Sequence, residues 1–346
     1  MQIIDAESIR RCVSFEHLIE PIAEAFRASS RGQVQNGLLV LYPAASAELG
    51  DVYVKTATAR DESLYIVKIS PWFKVNSQTG SPQGGFIAAF CSRTGKTLAL
   101  LDDQHYLSDI RTAAAGALAA RVFVPEQHST AAILGAGVQA YWQARALYRE
   151  KPFDQLLLWA RNQGAADRLR RRLEPDLAGV RIIICSEAEE AVRQSDVVIT
   201  ATQAREPIIR GEWLHPGHHV TAVGADDPSK CEIDAVALNR ARVFGDSIGT
   251  ICANGDVHRW ISSGAYAQDR LAGEIGEVLI GAKMGRERPN EITIAKFVGI
   301  GAQDLVAARV TLERLGGLFY RIESHGKNGA DGRMAIHDPL SDTRSL

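Results

Sequence analysis

The chemistry legible first in this chain lies in Ala131-Ala-Ile-Leu-Gly-Ala-Gly-Val-Gln-Ala140. Gly135, Gly137 and the small Ala140 form the pattern G-x-G-x-x-A between an apolar run and a helical one. The first glycine of such a turn permits a tight reversal, and the second lets the backbone approach a pyrophosphate. The third small residue lets the helix close on the strand. Val138 and Gln139 open that helix, whose free N–H groups and positive dipole end suit phosphate. A dinucleotide site is the expectation. A site for NAD places an acid about 20 residues on, at the tip of the second strand. Here Gln155–Ala160 ends in Arg161-Asn162 with no acid at the tip. A guanidinium there suits a 2′-phosphate, so NADP(H) is preferred and NAD(H) stays open. The plain alternative is a solvated charge after a strand.

Three further ionisable residues have suggestive settings. Lys68 interrupts the otherwise apolar strand Tyr65–Ser70 and must reach solvent or a partner. Arg111 stands near the start of an alanine-rich helix, where it can grip a carboxylate in two-pronged fashion or pair with Asp109 or Asp103. Asp226 follows Val223-Gly224-Ala225 at the carboxyl end of a strand, where open α/β sheets bind ligands. It can exchange a proton with an amine or imine nitrogen, or simply cap the turn at Pro228. Together they suit hydride chemistry on a substrate bearing a carboxylate and a nitrogen. Thr200 and Thr202, at the end of another strand, are expected to line the pocket under the cofactor.

These positions need a frame to hold them. From Ser129 to Asp246 apolar strands alternate with helical patterns, which predicts a parallel sheet. Its strands are Ser129–Leu134, Gln155–Ala160, Val180–Cys185, Asp196–Thr202, His218–Gly224 and Arg242–Asp246. Before it, an amphipathic helix over Ile9–Ser29 precedes strands separated by Gly, Asn and Ser turns, an α+β pattern with antiparallel pairing. The fold class is α/β: a Rossmann-type doubly wound domain over 120–301, plus an α+β domain over 1–119 to which 302–346 returns. A helix is expected at Gln303–Leu315, and the polar stretch after His325 reads as mobile.

Composition excludes other classes. With 346 residues, 23% charged, 46% hydrophobic and a formal net charge of -2, the chain has no basic field for nucleic acid and no apolar run of membrane-spanning length. Arg168–Arg172 reads as a solvated helix face. Five scattered cysteines without C-x-x-C, and no leader-like N-terminus, suggest a reducing, cytoplasmic setting. His215, His218 and His219 flank a Pro-Gly turn without acid or cysteine partners, so no metal is expected. Lys55 and Arg60 read as surface charge, with a second substrate carboxylate as the alternative.

Asp109-Ile-Arg-Thr-Ala-Ala-Ala-Gly-Ala-Leu-Ala-Ala120, Leu134–Ala140 and Ala222-Val-Gly-Ala-Asp226 with Lys230 and Glu232 resemble the ornithine cyclodeaminase/mu-crystallin family. Weaker matches are Gly95 with Leu98–Asp102, Gly273–Gly276 and Phe297–Gly299. The resemblance implies a homodimer, a nicotinamide dinucleotide bound also by Val223, Gly224 and Gly299, and a small α-amino or α-imino acid substrate. It assigns carboxylate binding to Lys68 and Arg111, and catalysis to Asp226 with Lys68. The implied activity is an imine or ketimine reductase or amino-acid dehydrogenase. The alternatives are an ornithine cyclodeaminase-type ammonia lyase that uses NAD catalytically, and an NADPH-dependent small-ligand binding protein. Gly224-Ala-Asp-Asp-Pro-Ser-Lys230 departs from the cyclising members' pattern G-G-D-C-P-G-K. Together with Arg161 this favours net reduction.

Overall fold

The computed structural model describes residues 2–44, 49–78 and 82–316. Two sheets organise them. The first comprises β1 (Gln2–Asp5), β2 (Val34–Leu41), β3 (Gly50–Ala59), β4 (Leu64–Phe73), β5 (Phe86–Cys91) and β6 (Thr97–Asp102). Its order is β1-β6-β5-β4-β3-β2. All neighbours are antiparallel except β1, which joins β6 in parallel. Period-two alternation along β3 buries Asp51, Tyr53, Lys55 and Ala57 on one face. That face carries polar groups because it borders a cavity.

Helices α1 (Ala6–Cys12) and α2 (Ile19–Ser30) replace the single helix expected over Ile9–Ser29. Val13 is extended, and the Ser14 hydroxyl and backbone N–H meet the His17 ring at 3.1 Å. This local side-chain bonding competes with the helix and restarts it as a short 3₁₀ turn. Helix α3 (Tyr106–Phe123) then runs almost wholly buried between the sheets. Its small residues allow close packing: a Cβ on Gly116 would stand 1.9 Å from Gln143 Oε1.

The second sheet is parallel throughout. Chain order supplies β7 (Thr130–Leu134), α4 (Val138–Glu150), β8 (Gln155–Trp159), α5 (Gln163–Leu173), β9 (Arg181–Ile184), α6 (Ala188–Arg193) and β10 (Val197–Thr200). There follow β11 (His219–Ala222), α7 (Ala235–Arg240), β12 (Arg242–Gly245), α8 (Ile248–Ala253), α9 (Gly255–Ser262), β13 (Gly273–Glu274), α10 (Ile275–Leu279), β14 (Thr293–Lys296) and α11 (Gly301–Arg314). The strand order is β13-β12-β14-β11-β10-β7-β8-β9. From β9 to β11 this is the doubly wound order 3-2-1-4-5, with β14 inserted before β12. Its central strands are nearly all apolar because helices cover both faces.

Helix α11 leaves this sheet and packs on α2, α3, β2, β3 and β4. One apolar cluster runs through both sheets, joining Ile66, Ile87 and Leu118 to Phe244, Phe297 and Leu305. The two halves therefore share a core, with the cavity between them. The remainder of the expected returning segment, including the stretch after His325, lies outside the described residues.

Candidate active site

The glycine turn takes the shape its sequence demands. Gly135 adopts φ +129°, and a Cβ there would lie 2.4 Å from Ala201 O. Only glycine fits. Its N–H donates to Trp159 O at 2.8 Å, which ties the tips of β7 and β8. Gly137 is the N-cap of α4 with no side-chain cap and open space where a Cβ would point. The first N–H groups of α4 are thus left for a ligand. This cradle fits a pyrophosphate.

A cavity of about 510 Å³ begins there. Gly135, Gly137, Val138, Gln139, Arg161, Asn162, Thr202, Val223, Gly224, Asp226, Lys68, Arg111 and Gly299 all line it. Arg161 is exposed at the tip of β8. Asn162 caps α5, its Oδ1 accepting from Ala165 N at 3.0 Å. Thr200 is the exception among the expected lining residues. It points into the interior, fully buried, and donates to Glu232 Oε2 at 2.7 Å. Both hydroxyls turn to Glu232, but β10 ends at Thr200 and only Thr202, beyond the strand end, borders the cavity, so the pocket assignment holds for Thr202 alone.

Glu232 explains why. Wholly buried, it accepts from Thr200 Oγ1, Thr202 N, Thr202 Oγ1 and Gly224 N at 2.7–2.9 Å. It braces the ends of β10 and β11 beneath the cavity floor. Burial pushes its carboxyl up, as does the neighbouring Asp256.

Opposite the glycine turn, cations converge. Lys68 Nζ and Arg111 Nε both donate to Asp304 Oδ1, at 3.0 and 3.2 Å. Burial works to raise the Asp304 carboxyl, but Lys68, Arg111 and Lys55 override it and hold it far below the usual carboxylate range. Burial lowers the Lys68 amine, and Asp304 only partly offsets that. The sequence alternatives for Arg111 are otherwise engaged: Asp109 meets His105 and Gln139, while Asp103 accepts from Leu107 N. Asp304 sits on α11, far along the chain, and no local signal marks it.

Lys55 corrects the surface reading. It is only 5% exposed, lines the cavity and donates to Gly299 O at 2.8 Å. Arg60 is exposed, as read from sequence.

Asp226 stands at the end of β11 and meets Lys230 Nζ at 2.6 Å. The turn is capped instead by Asp227, which accepts from Ser229 N at 2.7 Å and Ser229 Oγ at 2.5 Å. Asp226 is thereby left facing the cavity. Burial works to raise its carboxyl, but Lys230 prevails and holds it below the usual range. Asp51 and Tyr53 also line the cavity, and Asp51 Oδ1 and Tyr53 Oη are buried without a hydrogen-bond partner among the described residues. Burial pushes the Asp51 carboxyl up to about 6.

The histidines are packed. His218 meets Ser195 O, and His219 lies between Thr293 and Thr221 at 2.9 and 3.0 Å. Burial lowers both rings, to about 4 and about 3.

This architecture recurs in known proteins. An uncharacterized cyclodeaminase of Sinorhizobium fredii is 37% identical over 317 residues, 91% of this chain and 96% of the relative. The Thermococcus litoralis Δ1-pyrroline-2-carboxylate reductase, solved with NADH and L-proline, superposes with a TM-score of 0.85. It is 25% identical, over 91% of this chain and 97% of that one. An archaeal alanine dehydrogenase dimer with bound NAD gives 0.84 at 29% identity, over 91% of this chain and 95% of that one. The sequence model of one family matches residues 2–317. The chain belongs to the ornithine cyclodeaminase/mu-crystallin family.

Proposed function

We propose that the protein is an NAD(P)H-dependent oxidoreductase acting on an α-imino or α-amino acid, an imine reductase or amino-acid dehydrogenase. One observation carries this reading. Two cations that share the Asp304 carboxylate, Lys68 and Arg111, and a carboxylate just past a strand end, Asp226, line the same cavity as an open glycine cradle. The reduction and the oxidative activities named for the relatives support it.

The first module, 1–119 with 302–346, holds the substrate; 120–301 holds the cofactor. Lys68 and Arg111 grip the α-carboxylate and present the α-carbon toward Val223 and Gly224. Because Lys230 keeps Asp226 ionised, Asp226 serves less as a proton donor than as the counter-charge for a protonated imine nitrogen. The dinucleotide, when bound, supplies or accepts a hydride at that carbon. Gly135, Gly137, Val138 and Gln139 would hold its pyrophosphate. Arg161 and Asn162 would flank the adenosine ribose, and the absence of an acid there supports NADP(H) over NAD(H).

The first sheet supports a homodimer. Its edge strand β2 and the following turn expose Leu38, Leu39, Leu41 and Tyr42, all at least 38% accessible. Such an apolar edge invites a second copy. No helix among the described residues is long and apolar enough to cross a membrane.

The test is nicotinamide absorbance with NADPH or NADH and a panel of imines. The panel holds pyrroline-2-carboxylate, piperideine-2-carboxylate, and 2-oxo acids with ammonia or methylamine. Oxidation of NADPH is the expected result. Ammonia and proline formed from ornithine without net redox would replace this reading by the cyclodeaminase one. Cofactor binding without any turnover would replace it by the ligand-binding one.

A further inference from the structure

The reaction proposed above gives no part to Lys55, a cation of the cavity wall. Lys55 stands directly across from Lys68 in the β3–β4 register, and both are buried. Arg111 Nη1, Arg111 Nη2 and Lys55 Nζ each lie 2.9 Å from the point where a Cβ on Gly299 would stand. Three cations thus crowd one corner, and Gly299, at φ +88°, is the residue that makes room for them.

The counter-charge in that corner does not suffice. Asp304 gives its bonded oxygen to Lys68 and Arg111. Among the described residues Lys55 donates to the carbonyls of Val298 and Gly299, at 3.3 and 2.8 Å, and stands 5.8 Å from the centre of the Tyr53 ring. No described carboxylate lies within ion-pair distance of it. Asp304, Asp226 and Asp246 act on it only from farther off, and each is bonded elsewhere: Asp304 to Lys68 and Arg111, Asp226 to Lys230, and Asp246 to the N–H groups of Val298 and Gly299. Burial, and then the charge of Arg111, drag the Lys55 amine down to about 7. A buried ammonium so placed needs an anion. Lys68 and Arg111 against Asp304 leave one positive charge, which a single α-carboxylate neutralises. Lys55 is the surplus.

We infer that Lys55 receives a second carboxylate of the substrate, so that the preferred imino acid is a short dicarboxylic one. This rests on the oxidoreductase reading and narrows it. Lys55 and Arg111 are neighbours across one glycine, so the two carboxylates must be close together, as in a four-carbon diacid. The chemistry is otherwise unchanged. Hydride from the reduced nicotinamide adds to the α-carbon of the protonated imine, the C=N π pair becomes the amine lone pair, and the oxidised cofactor leaves.

The test compares L-aspartate with L-2-aminobutyrate as ligands of the NADP⁺-loaded protein, read by tryptophan fluorescence, in wild type and K55M. Wild type should hold aspartate tighter by about tenfold or more, the worth of one charge-assisted contact. K55M should bring aspartate to the level of 2-aminobutyrate and weaken the latter by less than about threefold. With NADPH, oxaloacetate plus ammonia should outrun pyruvate plus ammonia in wild type only. Equal affinities in wild type would overturn the inference. So would equal weakening of both ligands in K55M, which would leave Lys55 a clamp on the 298–299 turn or a third hand on the α-carboxylate. K55Q, with a parallel melting curve, replaces K55M if that variant does not fold. Binding is read without turnover, so inactivity toward every imine would sink the oxidoreductase reading and leave the aspartate preference to be judged separately.

Discussion

Asp304→Asn removes the one carboxylate bonded to both Lys68 and Arg111, and its effect can be worked out in advance. Asp304 is wholly buried, and the side chains of Lys68 and Arg111 are 5% and 9% accessible. Breaking a buried pair by deleting one partner costs about 3–5 kcal/mol, because the other charge stays buried without compensation. Water in the adjoining cavity can reach both cations, which places the loss near the lower end. At roughly 2 °C per kcal/mol for a chain of this length, the melting temperature should fall by about 6–7 °C. The dependence on pH follows from the depressed carboxyl. The native state binds fewer protons than the unfolded one only below the ordinary value of 3.8. The stability is therefore complete above that pH and is lost as the pH falls below it. The gap between wild type and variant should be constant from pH 5 to 8 and narrow in acid, where solubility permits measurement. A carboxylate ligand restores counter-charge, so L-2-aminobutyrate with NADP⁺ should raise the melting temperature of the variant more than that of wild type. Differential scanning fluorimetry suffices. A fall of less than about 2 °C, or equal ligand shifts, would refute the view that Asp304 is the counter-charge of this corner.

Three other outcomes are expected. Arg161→Ala should weaken NADPH by about tenfold or more while NADH changes little, and titration of nicotinamide fluorescence would show equal losses if Arg161 is only a solvated charge. Asp226→Asn should lower kcat/KM on the best imine by about 100-fold or more with NADPH affinity unchanged; near-normal turnover would remove it from the reaction. Asp51 is raised to about 6 by burial and then by Asp226 and Asp227. Between pH 3.8 and 6 the native state binds more protons than the unfolded one, so this group costs stability as the pH rises. Asp51→Asn should therefore gain about 1–3 kcal/mol at pH 7.5 in urea unfolding, with the gain vanishing below pH 4. A gain independent of pH would point to packing instead.

Local patterns carried the fold and the glycine turn that borders the cavity. The turn from β7 into α4 is contiguous in sequence, so the glycine demanded by φ +129° and the uncapped helix start can be read from ten residues. Arg161 follows the same logic, one strand later. The break between α1 and α2 was missed because helical periodicity persists across Ser14, where side-chain hydrogen bonds win locally. Thr200 was placed in the pocket because the sequence does not say where the strand stops; β10 ends at Thr200, and the cavity begins only beyond it, at Ala201 and Thr202.

The substrate half depended on distance in the chain. The sequence by itself marked which charged residues stand in apolar or small-residue settings: Lys68 on a strand, Arg111 on a helix and Asp226 in the loop after a strand. Only the tertiary structure decided their partners. Lys68 and Asp304 are 236 residues apart and meet because α11 returns to pack against β3 and β4. Lys55 likewise sits on a strand whose two faces are indistinguishable by period. The cavity left beneath that returning helix turns it from a surface charge into a buried cation. An ionic contact needs only a few ångströms of space and leaves no trace in spacing, whereas a backbone turn writes its steric requirement into the residues that make it.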